Sequence, residues 1–145
     1  MKVSDLEREG LIGKISIDKR RAKESLAIAE RDLKTAKSLC NENPDWSFSI
    51  AYNSMLQSTR ALMFSMGFRP QGQAQHISVV RFAEAVLGGK AEEIIAMLDR
   101  MRRKRHRVVY NTSGLISQLE ANKAVNDAEK LFKLIQKELK NRKLI

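Results

Sequence analysis

Apolar residues recur three and four positions apart along most of the chain, the spacing of one face of an α-helix. From about Asp18 to Cys40 the positions Ala22, Leu26, Ala29, Leu33, Ala36 and Cys40 mark one narrow buried stripe. The stretch NENPD interrupts it, with Pro44 as a stop and Asp45 placed to cap the next helix. The following segment, WSFSIAYNSMLQSTRALMFSM, is apolar around most of its circumference and ends at Gly67, which predicts the central and most buried helix. Its exception is the row Asn53, Gln57, Arg60. A loop, FRPQGQAQH, leads to a short third helix near 77–87, ended by Gly88 and Gly89. A fourth helix is expected from about Ala91 to Tyr110. Ser117 with Glu120 three residues later is a capping-box pattern for the last, whose stripe is Ala121, Val125, Ala128, Phe132, Ile135 and Leu139. No alternating strand pattern lasts long enough to compete. The expectation is an all-α, compact, up-down bundle of four to five helices, a single domain over 1–145, with loose ends at 1–15 and 140–145.

Composition changes this picture in one respect. Lys and Arg number 27 against 17 Asp and Glu, a formal charge of +10, which favours polyanionic partners such as RNA, DNA or anionic lipid. No run of about 18 apolar residues is present to span a bilayer, and the charged start MKVSDLEREG is unlike a signal peptide, so the expected location is cytoplasmic with no membrane partner. The lone Cys40 fits a reducing compartment and excludes an internal disulfide, and one Cys with two separated His residues is too sparse for a zinc cluster. Neither a metal nor another cofactor is expected.

The charge is concentrated in RMRRKRHRVVY, residues 100–110, where six of eight consecutive positions are Lys or Arg. On a helical wheel Ile94, Met97, Leu98, Met101, Val108 and Val109 share the buried side, and Arg105 falls among them. A cation there must be paired, reach an edge, or face a second molecule, because burying it alone is too unfavourable. Asp99, Arg103, His106 and Tyr110 lie on the opposite side. Histidine, arginine and tyrosine beside phosphate-attracting charge are the ingredients of proton transfer on a ribose phosphate: a group titrating near neutrality, a cation for the developing negative charge, and a phenol to orient or donate. Cations in the last turns of a helix are also favoured by its dipole and can be simply solvated. The candidate phosphate contacts are Arg102, Arg103 and Arg107, with Asp99, Asn53 and Arg60 in support.

Taken in order, LEREGLIGKI, SLAIAERDLKTAK, DWSFSIAYNSMLQSTRALMFSMGFRP, LDRMRRKRHRVVYN and EANKAVNDAEKLFKLI resemble the small archaeal and bacterial HEPN-domain proteins over nearly the whole chain. The resemblance implies a helical bundle that dimerises through its motif-bearing region and is paired with a minimal nucleotidyltransferase in a toxin–antitoxin module. Active members of the family are metal-independent endoribonucleases. Their motif is an Arg, four to six residues and a His, often with Asn after the Arg and Tyr two positions after the His. Aligned to it, Arg105 takes the arginine position, His106 the Asn position and Tyr110 the histidine position. Arg100 and His106 also give a literal match. The motif therefore reads as degenerate, with Arg105, His106 and Tyr110 as the catalytic candidates. Three function classes stay open: a non-catalytic module component binding its partner and nucleotide or RNA, an endoribonuclease with His106 as base, and a structural helical adaptor.

Overall fold

Ala22, Ala29 and Ala36 repeat every seven residues in one predicted helix, and Ser47, Ser54 and Ala61 repeat every seven in the next. Such repeats return small side chains to the same face of both helices. The computed structural model describes residues 1–110 and 114–143, with the side chains of Val109 and Tyr110 lying outside the described part. In it, α2 (Lys19–Leu39) and α3 (Pro44–Ser65) pack as an antiparallel hairpin along these two rows. Ser47 Oγ donates to the carbonyl of Ala36 and Ser54 Oγ to that of Ala29, each at 2.7 Å. That register sets Ala61 opposite Ala22. All six residues are fully buried.

The helix ends follow local chemistry. Asp18 caps α2 by accepting from Arg21 N–H at 2.9 Å. The cap of α3 is Asn43, which accepts from Trp46 N–H at 3.3 Å, and not the expected Asp45. Pro44 explains the difference: its fixed φ and missing N–H suit the first helical position, so the residue before it becomes the cap. Asp45 instead accepts from the backbone N–H groups of Gly114 and Ile116, tying the approach to the last helix onto the start of α3.

The central helix α3 touches α2, α4 (Gln75–Leu87), α5 (Glu92–Tyr110) and α6 (Gln118–Asn141). A single core runs through all of them, with Tyr52, Met55, Leu62, Phe82, Leu98, Met101 and Leu131 fully or almost fully buried. The capping box of Ser117 and Glu120 is formed at the start of α6. A short 3-10 turn over Gly88–Lys90 separates α4 from α5.

Two features were not legible from periodicity. Residues 1–15, expected to be loose, hold α1 (Val3–Arg8), whose Leu6 is wholly buried, and β1 (Ile12–Lys14). This strand pairs antiparallel with β2 (Phe68–Pro70), Ile12 opposite Pro70 and Lys14 opposite Phe68. Gly67, at φ +84°, turns the chain out of α3, and its carbonyl receives Ile15 N–H at 2.9 Å. A three-residue strand is too short to show the alternation that identifies strands in sequence.

The α2–α3 seam leaves no room for larger side chains. Ala29→Leu should lower stability by about 1–3 kcal/mol or more through overpacking, whereas Ser54→Ala, which loses one hydrogen bond, should lower it by about 1 kcal/mol. Urea midpoints of the two variants check the order; a Leu variant as stable as the parent contradicts a close-packed seam.

Candidate functional site

The basic segment lies on α5, where Ile95, Leu98 and Met101 are buried and anchor the helix against the core. Its basic face meets the first turn of α4 and the part of α3 that carries Arg60. Between them is an open groove of about 670 Å³, lined by Arg60 of α3, His76 of α4, and Arg102, Arg103, Arg105 and His106 of α5. Four arginines and two histidines line it with no Asp or Glu among the lining residues. A concave surface of one sign concentrates its field on anions.

Not all of this charge is uncompensated. Asp99, one turn before them on α5, receives Arg102 and Arg103, each at 3.1 Å. Asp99 therefore holds two arginines in place instead of lining the groove. Among the described residues neither Arg60 nor Arg105 has an ion-pair partner, and Arg105 Nε is buried without a hydrogen bond. The Arg105 guanidinium lies 5.5 Å from the centre of the Tyr52 ring, a cation–π distance. This is how the fold accommodates a cation on the apolar side of α5: an aromatic ring of the same subunit lies beneath it.

Tyr52 is fully buried, and its hydroxyl is 3.1 Å from Nδ1 of His76. Burial pushes the Tyr52 hydroxyl up to about 12, against the opposing pull of Arg105, Arg102 and Arg60. The phenol stays protonated at neutral pH. Burial first, then Arg105, Arg60 and Arg102, hold the His76 imidazole below its ordinary value of 6.5, so it is neutral in the empty groove. Burial likewise lowers Arg60, which stays charged.

Of the candidates read from the sequence, Arg60, Arg102, Arg103, Arg105 and His106 are brought to this one groove. Arg107 is exposed and lines a neighbouring shallow groove with Arg100, Arg103 and Lys104. Asn53 is elsewhere: its amide donates to the buried carboxylate of Asp32 at 2.8 Å, across the α2–α3 seam. The side chain of Tyr110 lies outside the described residues. Tyr52 and His76 are not among the candidates that the sequence suggests. Tyr52 carries a faint signal, eight residues before Arg60 and so on the same helical face. His76 carries none, because only the packing of α4 against α3 brings it to Tyr52. No group of three or more His, Cys, Asp or Glu side chains is placed to hold a metal ion among the described residues. No helix among them is long and apolar enough to cross a membrane.

The HEPN-domain model matches residues 22–139, and the chain belongs to the HEPN family. The fold is similar to that in the crystal structure of TT1696 from Thermus thermophilus, with a TM-score of 0.65, 17% identity, and coverage of 82% of this chain and 98% of that one. At that identity the likeness concerns the fold. No curated protein sequence matches the chain.

Because His76 is held neutral in the folded state, the unfolded chain takes up a proton near pH 6.5 that the folded chain refuses. Stability should then fall as pH drops through about 6.5. An NMR titration should place His76 below that value, and His76→Gln should remove its share of the pH dependence. A His76 that titrates above 6.5 in the free protein contradicts the assignment.

Proposed function

We propose that this protein binds RNA or a nucleotide through its phosphates in the groove between α4 and α5, as the HEPN component of a nucleotidyltransferase-linked module. The observation that carries the reading is a groove lined by four arginines and two histidines without a carboxylate. Phosphate supplies the missing negative charge, and guanidinium forks suit its oxygens. The nucleotidyltransferase partner, the toxin–antitoxin setting and the homodimer follow from the family resemblance. Arg105 lies over Tyr52 of its own chain, so its place on the apolar side of α5 is no argument for the dimer. Light scattering at tens of micromolar protein tests it directly.

If the groove holds phosphates of single-stranded RNA, the logarithm of affinity should fall linearly with the logarithm of salt concentration. The expected slope is roughly −0.7 per phosphate contact. Arg60→Ala and Arg105→Ala should each weaken binding and flatten the slope by about one contact, while Arg107→Ala should do less. Binding unchanged in about 0.5 M salt sinks the reading.

A second reading is favoured by the presence of His106 in the same groove as Arg103 and Arg105. In a metal-independent endoribonuclease, His106 takes the proton of a ribose 2′-hydroxyl as its oxygen attacks the adjacent phosphorus. The arginines hold the phosphate oxygens, and Tyr110 orients the reacting group. The bond from phosphorus to the 5′-oxygen breaks, that oxygen takes up a proton, and the upstream fragment ends in a cyclic phosphate. His106→Ala should slow cleavage by about 10² to 10⁴, and Tyr110→Phe by less. Cleavage of RNA by His106→Ala at the parental rate ends this assignment.

A further inference from the structure

Within the groove, one corner is built differently from the rest. Its side chains come from three elements: Tyr52 and Arg60 from α3, His76 from α4, and Arg105 from α5. Exposed cations on a single helix swing freely, but here the support is buried. Tyr52 is wholly inside the core; its hydroxyl meets His76 Nδ1 at 3.1 Å and its ring lies under Arg105 at 5.5 Å. One aromatic side chain thus orients two groove-lining groups at once.

We infer that Arg60, Arg105 and the Tyr52-oriented His76 form a subsite for a terminal phosphate, the phosphomonoester group at the end of an RNA or on a mononucleotide. The inference rests on the phosphate-binding reading of the groove and specifies which phosphate is recognised there.

Charge decides between a terminal and an internal phosphate. An internal diester carries one negative charge and two non-bridging oxygens. A monoester carries close to two charges at neutral pH and three terminal oxygens. The corner offers two guanidiniums without ion-pair partners among the described residues, which matches two negative charges. Arg102 and Arg103, by contrast, share the carboxylate of Asp99 and are better matched to singly charged diesters further along the strand. Three groups from three elements also suit three oxygens. In the tautomer whose Nδ1 accepts from the Tyr52 hydroxyl, the imidazole proton sits on Nε2, and neutral His76 supplies a donor there. The first turn of α4, which has no side-chain cap, borders the same corner.

The groups facing His76 are Tyr52 and Arg60 on α3 and Arg102 and Arg105 on α5. The three cations disfavour its protonation in the empty groove; a bound dianion opposes their field, so binding should raise the pH at which His76 titrates.

The test uses RNA octamers of one sequence with a 5′-phosphate, a 3′-phosphate or hydroxyl ends, together with a nucleoside monophosphate and inorganic phosphate, at pH 7.5 and low salt. Fluorescence anisotropy or calorimetry gives the affinities. One phosphorylated end should bind about ten-fold or more tightly than hydroxyl-ended RNA, the difference expected for one added charge-assisted contact. Tyr52→Phe and His76→Gln should each shrink that advantage, weakening phosphorylated RNA several-fold more than hydroxyl-ended RNA. Addition of inorganic phosphate should move the His76 ring signals and raise their titration midpoint. Since Tyr52 is a core residue, the half-buried His76→Gln variant carries the same test if Tyr52→Phe folds poorly. Equal affinity of all three octamers, weakened alike by Arg105→Ala, overturns the terminal-phosphate subsite and leaves the groove as a diester site. Binding of the monophosphate but of no octamer supports the subsite and assigns it to a free nucleotide. Failure of every ligand to bind overturns both the subsite and the reading it rests on.

Discussion

The close approach of α2 and α3 is the constraint on which the rest of the molecule depends. Two serine hydroxyls donate across the seam to backbone carbonyls of the facing helix, and alanines occupy the remaining contact points. The small side chains let the helix axes come near enough for those bonds, and the bonds in turn fix the register. With α2 covering one side of α3 so tightly, the other sides of α3 become the surface on which α4, α5 and α6 assemble. The register also aligns a hydrogen-bonded pair and a cation–π pair across the seam. Asn53 meets the Asp32 carboxylate, and Arg21 lies 4.2 Å from the centre of the Phe64 ring. A slip of one residue would break all of these together.

The central helix has a second role that follows from its position. Although α3 is buried on nearly every side and the Ser49 and Ser58 hydroxyls have no hydrogen-bond partner, other polar groups on it meet the helices around it or reach an edge. Tyr52 and Arg60 are two such groups, two turns apart on one face. Tyr52 reaches His76 of α4, and Arg60 reaches the edge where the groove opens. The groove is thus rooted in the core at Arg105, which lies over the buried Tyr52 ring, while Asp99 holds Arg102 and Arg103. This separates Arg105 from Arg107, which shares its charge and lies exposed beside a neighbouring shallow groove.

Charge density alone would not produce this arrangement. Six basic residues in eight positions on a fully solvated helix repel one another and are shielded by counter-ions. Here Asp99 takes two of them, and Glu120 in the capping box of α6 takes Lys104. These pairings sort one run of cations into charges used for structure and charges left for a ligand. The neutral His76 among them is a product of the same field, since burial and the neighbouring guanidiniums keep its proton off.

By itself the sequence determined the helical class, the helices α2 to α6, the buried stripe of α2, the central place of α3, the cap of α6 and the concentration of positive charge on α5. Each of these depends on residues within one or two turns of one another, and local spacing suffices to read them. The HEPN resemblance, too, was carried by ordered local blocks. Tertiary structure decided which cations face the groove, because Arg60 comes from α3, the Tyr52 ring lies under Arg105 and Glu120 takes Lys104 across helix boundaries, while Asp99 holds Arg102 and Arg103 within α5 itself. It alone placed His76 on Tyr52, 24 residues apart in the chain. It sent Asn53 to Asp32 and away from the site, and it paired two three-residue strands whose brevity hides them from any periodicity. Contacts between distant segments depend on register and helix crossing, which are set by how side chains of different helices fill a shared volume; no single segment carries that information.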